Sequence, residues 1–324
     1  MKRLAVFLVL SLAAAVLALL ALGASPGTSA FAAALDRGSF AARPGFAVAA
    51  IAGALAVVCF LFGAFTGDYS WVDRIWSIAP VLFAWIYAGA SRLSPRPTVA
   101  AVLVTLWGAR LTFNFARRGG YAGSEDYRWA VIRDRITHPL ARLIFNLLFI
   151  SLFQLAVLAL FTAPLRRLAA SPGRAASPLF ALAALLPLLF LAYETAADSQ
   201  QWRFQCAKAG YREALARGER PEDPTGDLAR GFRTTGLFAL SRHPNYFGEL
   251  GFWWSVYLLG CVDGRIAHWT IAGALALSAV FVGSTTFTEE ISAAKYPDYR
   301  RYRASTSALV PWFRKAAPAV ATVD

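Results

Sequence analysis

Long stretches rich in Ala, Leu, Val and Phe alternate along this chain with segments that hold most of its charge. The apolar stretches fall at about 4 to 23, 46 to 66, 76 to 90, 97 to 116, 140 to 162, 178 to 195, 245 to 262 and 268 to 288. About twenty apolar residues cross a bilayer as a helix, the one open-ended structure that satisfies its own backbone there. The pattern therefore predicts an all-α, polytopic integral membrane bundle of about seven to eight transmembrane helices. The stretch at 76 to 90 is short. The first stretch has a second reading, because Lys2 and Arg3 precede it and the small-residue segment ALGASPGTSA follows, as in a signal peptide. Its length favours a retained helix, so residues 1–45 are read as a membrane helix and loop, and 46–324 as the main membrane domain.

Composition agrees: 57% of the 324 residues are hydrophobic and 16% charged, outside the range of ordinary soluble domains. The net charge of +13 would by itself suit a nucleic-acid partner, but its placement argues otherwise. Lys and Arg gather at the N-terminus and in 117–135, 203–233 and 295–315, segments that alternating spans put on one side. The positive-inside rule makes that side cytoplasmic and places both termini of the integral membrane protein there. Anionic lipid headgroups then account for the basic surplus, and no nucleic-acid partner is expected. Cys59, Cys206 and Cys261 have no CxxC spacing, so neither a metal site nor a disulfide framework is indicated.

Three predicted cytoplasmic stretches carry candidate chemistry. In "WGARLTFNFARRGGYAGSEDYRW", 107 to 129, Arg110, Asn114, Arg117 and Arg118 recur at three- and four-residue intervals near one helix face. Arg117 and Arg118 suit headgroup contact as well as a ligand, whereas Arg110 lies further in, where a charge needs a polar cavity or partner. In "LSRHPNYFGE", 240 to 249, Pro244 suits a first helical turn and keeps His243 out of it. Arg242 and His243 are thus expected in a loop, with Asn245, Tyr246 and Glu249 in the first turns of a helix whose N-terminus favours an anion. Glu249 needs a partner, and Arg242 is a plausible one. In the tail, Tyr296, Tyr299 and Tyr302 alternate with Arg300, Arg301 and Arg303, a pattern that suits a nucleotide or a helix lying on the membrane surface.

Taken together, "GLFALSRHPNYFGE", the following tryptophan-rich span, the helix ending in "TEE" and the tail "YPDYRRYRASTSALVPWF" resemble the C-terminal domain of the steroid 5-alpha-reductase family. "DYSWVDRIWS" and "LWGARL" are similar to its bacterial branch. The resemblance covers about residues 60 to 314. It implies an NADPH-dependent reductase acting on a conjugated carbon–carbon double bond in a lipophilic substrate drawn from the bilayer, with the cofactor site mainly in 105–135 and 230–314. Position by position it implies cofactor contacts at Asn245, Tyr246 and Glu249, with Arg242 and His243 before them, at Tyr299 and Arg303 in the tail, and at Asn114 with Arg117 or Arg118. The carbonyl-polarising glutamate of the family has no counterpart, since no glutamate precedes Glu125. Tyr69 and Asp73 are the nearest substitutes for the catalytic pair, although an interfacial Tyr69 and an Asp73 paired with Arg74 would explain both without chemistry.

Arg242, His243, Pro244, Tyr246 and Gly248 also resemble the motif of isoprenylcysteine and phospholipid methyltransferases, which implies S-adenosylmethionine instead. Asn245, Phe247, Glu249 and the abundance of arginine favour the phosphate-rich cofactor. A non-enzymatic lipid-binding or accessory membrane protein is the third alternative.

Overall fold

The computed structural model describes residues 43–123, 125–170, 177–262, 264 and 266–315; the helix expected at 4 to 23 lies outside them. The described chain is built from α1 (Pro44–Thr66), α2 (Trp71–Ile75), α3 (Ala79–Ala90), α4 (Pro95–Arg117), α5 (Tyr127–Arg135), α6 (Pro139–Thr162), α7 (Leu165–Ala169), α8 (Pro178–Ala216), α9 (Asp227–Arg230), α10 (Pro244–Leu259), α11 (Ile271–Lys295) and α12 (Tyr299–Ser305). Among the described residues there is no strand, only an isolated bridge between Ser241 and Ser307. The all-α membrane architecture expected from the hydropathy pattern is what the chain adopts.

Proline sets most of the helix starts. Pro44, Pro95, Pro139, Pro178 and Pro244 each open a helix, where a missing N–H costs nothing and the fixed φ is already helical. At the other end of α1, Gly67 takes the left-handed conformation (φ 71°) and returns its N–H to the Gly63 carbonyl, a stop that favours glycine.

Five described helices, α1, α4, α6, α8 and α11, are long and apolar enough to cross a membrane. Two expected spans are shorter than their apolar runs suggested: α3 has 12 residues and α10 has 16. At the α-helical rise these reach about 18 and 24 Å, short of a hydrocarbon core of about 30 Å. The opposite holds for α8, which continues to Ala216 for 39 residues. The apolar run ends near residue 195, but Ala, Gln, Lys, Arg and Glu carry the helix onward and no glycine turn intervenes until Gly218.

The chain divides into two compact units. The first comprises the described residues up to Ala184 together with Val256–Ala276; the second comprises Leu185–Ser255 and the described residues from Leu277. In the first, α1, α3, α4 and α6 pack around Ala52, Ala56, Phe60, Phe83, Val104, Trp107, Leu158 and Phe161, all buried.

Candidate functional site

The second unit is organised around the start of α10. Its helical wheel has three faces. Toward α8, Phe247 meets the rings of Phe190 and Tyr193 edge-on at 5.6 and 5.7 Å. Gly248 and Gly251 let the two helices approach, since a Cβ would lie 2.6 Å from that of Glu194 and 2.1 Å from the Phe190 ring. Toward α11, His243 stacks on Tyr246 at 5.1 Å, Tyr246 meets Phe281 edge-on at 4.8 Å, and the Trp254 indole donates to the Ser278 hydroxyl at 3.1 Å. Asn245 and Glu249, one turn apart, share the third face with Phe252 and Trp253. On it Glu249 is 4% exposed and Phe252 and Trp253 are fully buried.

Arg242 and His243 sit in the loop before Pro244, as the proline predicts, but their partner is not Glu249. The Arg242 guanidinium grips Glu289 of α11 with two bonds, Nε to Oε1 at 2.6 Å and Nη2 to Oε2 at 3.0 Å. Its Nη1 donates to the carbonyls of Arg303 (2.8 Å) and Thr306, capping the C-terminal end of α12. His243 Nε2 lies 3.0 Å from Glu289 Oε1, and Arg303 Nε lies 3.2 Å from Oε2. One carboxylate, 2% exposed, thus serves three basic side chains. A planar guanidinium suits this role, since it satisfies a carboxylate and two carbonyls at once.

The tail runs beside the loop as a strap. The N–H groups of Arg242 and His243 donate to the carbonyls of Ser307 (2.8 Å) and Ala308 (3.1 Å), the Ser241 hydroxyl donates to Leu309 at 2.8 Å, and Trp312 N–H returns to Leu240 at 2.9 Å. The tail tyrosines point inward. Tyr299 and Tyr302 are buried against Phe232, with Tyr296 alongside. Burial pushes the phenols of Tyr299 and Tyr302 up. For Tyr296 burial works in the same direction, but the hydrogen bond and charge of Lys208, with Lys295, overcome it and leave the phenol low. Cationic side chains instead line two open grooves beside α12. One, of about 390 Å³, is bounded by Arg242, Arg303, Lys315, Trp312 and Phe313; the other, of about 560 Å³, by Arg230, Arg301, Arg314 and Lys315 with Asp298.

In the first unit, Arg110, Asn114 and Arg117 share one face at the end of α4. Asn114 is buried, Arg117 lies over the Phe113 ring at 5.3 Å, and Arg118 follows as the C-cap. Tyr69 and Asp73 belong to a separate polar cluster formed by the loop before α2 and the start of α5. The expected Asp73–Arg74 pair does not form. Arg74 bonds to Asp68 at 2.5 Å and covers the Trp71 ring, while Asp73 accepts from the Trp129 indole at 2.7 Å. Burial raises the Asp73 carboxyl above its ordinary range, against the charge of Arg128 and the Trp129 bond. Tyr69 is buried, its N–H donating to Glu125 at 3.0 Å, and Arg133 pairs with Glu125 at 2.6 Å.

Sequence reading passed over several buried polar groups of the second unit. Glu194 and Asp198, four apart on α8, are 3% and 5% exposed; two acids at helical spacing just past an apolar run were the available signal. Asp227 accepts from the Thr234 N–H and hydroxyl and from the Thr235 hydroxyl. Lys208 donates to the Gly231 carbonyl and the Tyr296 hydroxyl. Both hold the loop that leads into α10, and neither position is marked by a local pattern. Among the described residues no cluster of His, Cys, Asp and Glu could hold a metal.

Membrane-length helices together with a short, proline-started helix that carries a half-buried Asn245 and a buried Glu249 on one face define a polytopic membrane protein with a candidate ligand site at its last helices. The chain belongs to the family described as protein of unknown function (DUF1295), which matches residues 59–306. It is 37% identical over 256 residues to the uncharacterized protein C594.04c of Schizosaccharomyces pombe, covering 76% of this chain and 73% of that one. No solved structure matches. The family match takes in α10 and reaches the end of the tail segment that Arg242 caps.

Proposed function

We propose that the protein is a membrane-embedded, NADPH-dependent reductase of a conjugated carbon–carbon double bond in a lipophilic substrate, with the cofactor bound from the cytoplasmic side. The observation that carries this reading is the third face of α10. Asn245 and Glu249 lie one turn apart next to a helix N-terminus, with Asn245 half-buried and the Glu249 carboxylate 4% exposed. A carboxylate and an amide so placed suit the amide or ribose of a nucleotide cofactor. The grooves lined by Arg303, Lys315, Arg301 and Arg314 supply positive potential for its phosphates.

Reduction of an enone needs a hydride at the β carbon, a hydrogen-bond donor for the growing enolate and a proton at the α carbon. NADPH supplies the hydride when bound. Within the first unit, Asp73, whose carboxyl is raised by burial, is the candidate proton source and Tyr69 the candidate hydrogen-bond donor that the resemblance suggested.

One observation favours the second reading, an S-adenosylmethionine-dependent methyltransferase. Arg242 and Arg303 share the single carboxylate of Glu289, which offsets one of their two charges and leaves the groove beside them less cationic than its arginines alone would make it, a condition that a sulfonium tolerates better than a fully cationic groove. Thermal stability of the detergent-purified full chain with NADPH, NADH, S-adenosylmethionine or no ligand separates the two. A ligand at a hundred times its Kd stabilises by about 2.7 kcal/mol. The expected result is a shift with NADPH that disappears in Asn245→Ala. A shift with S-adenosylmethionine alone would replace the reductase reading by methyl transfer, and no shift with any ligand would favour a non-enzymatic lipid-binding role.

A further inference from the structure

A line of polar side chains runs through the buried side of α6, far in sequence from every motif used above. Residues Asn146–Phe153 of this helix are wound as a π-helix. In an α-helix Asn146 and Ser151 would diverge by about 140°, whereas i→i+5 hydrogen bonding brings residues five apart close to one face. Both are buried, at 1% and 0% exposed, and Gln154 follows at 6%. Ser151 lies midway along the 24-residue span Pro139–Thr162, where no bulk water competes.

The Asn146 amide is fixed by its surroundings. Its Nδ2 donates to the Phe60 carbonyl at 3.2 Å across the contact with α1. Gly63 makes the room, since a Cβ there would come within 2.9 Å of that nitrogen. This leaves Asn146 Oδ1 as an acceptor, and it has no hydrogen-bond partner; nor has the Ser151 hydroxyl. Unsatisfied polar atoms at bilayer depth each cost several kcal/mol. π-turns inside α-helices are themselves concentrated at functional sites.

We infer that Asn146 and Ser151 form a binding site inside the first unit for the hydroxyl group of a lipophilic alcohol that enters from the bilayer. The chemistry selects that class. Asn146 Oδ1 can only accept, so the ligand must donate to it, whereas the Ser151 hydroxyl can donate to the ligand or accept from it. A hydroxyl satisfies both, while an ether or an ester carbonyl cannot serve Asn146. The site is independent of which cofactor, if any, α10 binds.

The test uses the full chain in detergent with hexadecanol and with hexadecyl methyl ether, which has the same tail but no donor. Hexadecanol should raise the Tm of the wild type and the ether should not. In Ser151→Ala the apparent affinity for hexadecanol should fall by about tenfold, the value of one hydrogen bond of about 1.4 kcal/mol. Asn146→Leu should abolish discrimination between the two probes. Equal responses to alcohol and ether, including no response to either, would overturn the assignment and leave a bound water as the occupant. The wild-type comparison stands even where Asn146→Leu does not fold.

Discussion

The two polar clusters of this protein treat their carboxylates differently. Beside α2 and α5 in the first unit, Asp68, Asp126 and Glu125 each hold one arginine, with side chains 11–28% exposed, and Asp73 accepts from a neutral indole. In the second unit one carboxylate, Glu289, is shared by Arg242, His243 and Arg303, and the Arg242 side chain is only 8% exposed. The first arrangement spreads charge over separate pairs near solvent. The second concentrates it on a single buried acid that fastens helix α11, the motif loop and the tail to one another. Paired charges near water contribute little, and a buried charge that loses its partner costs much.

The sharpest way to break the contrast is Glu289→Ala. It leaves Arg242 buried among carbonyls with no counter-charge, and losses of about 3–5 kcal/mol accompany removal of one partner from a buried pair. The expected readout is a large fall in Tm together with rapid proteolysis after residue 296, because the strap that Arg242 holds to α12 is released. Intact tail protection at unchanged Tm would show that the backbone bonds from Arg242 and His243 to Ser307 and Ala308 hold the strap alone.

A smaller effect is expected from Glu125→Gln. Glu125 accepts from the Tyr69 N–H and from Arg133, bonds to a charged group that are worth about 1.5–3 kcal/mol when buried and less here, because the Arg133 side chain is 28% exposed. A loss of about 1 kcal/mol, read from thermal denaturation, would match the separate-pair picture. A loss as large as that of Glu289→Ala would erase the distinction between the clusters.

The membrane architecture was legible because span-length apolar runs and helix-opening prolines are both local signals. The start of α10 at Pro244, with Arg242 and His243 outside it, followed from one proline. The ion pairs were not legible. Arg242 was expected to pair with Glu249, seven residues away, and instead reaches Glu289; Asp73 was expected to take its neighbour Arg74 and instead takes Trp129. Partners across elements depend on which faces pack, and sequence spacing carries no such information when two acids are equally plausible. The direction in which the tail tyrosines face was not legible for a related reason. Their three-residue spacing describes a face without saying whether it looks outward to a ligand or inward to Phe232. The length of α8 was missed because hydropathy marks where a helix leaves apolar surroundings, not where it ends.

The finest distinction between the clusters rests on Asp73. Its folded-state carboxyl is raised, chiefly by burial, so its contribution to stability is fully present below the unfolded pKa and is lost as pH rises through the folded one, the reverse of a salt-bridged aspartate. Asp73→Asn keeps an acceptor for the Trp129 indole and removes the titration. The variant should therefore lie within about 1 kcal/mol of the wild type in acid, the range of substitutions that remove no packing. It should become the more stable of the two as pH rises toward neutral, with the Tm difference levelling off once the wild-type carboxyl has ionised. If the same carboxyl supplies the proton in the proposed reduction, that gain in stability comes with a loss of turnover at unchanged cofactor binding. Stability and turnover both unchanged across pH would place Asp73 with the ordinary paired acids of its cluster.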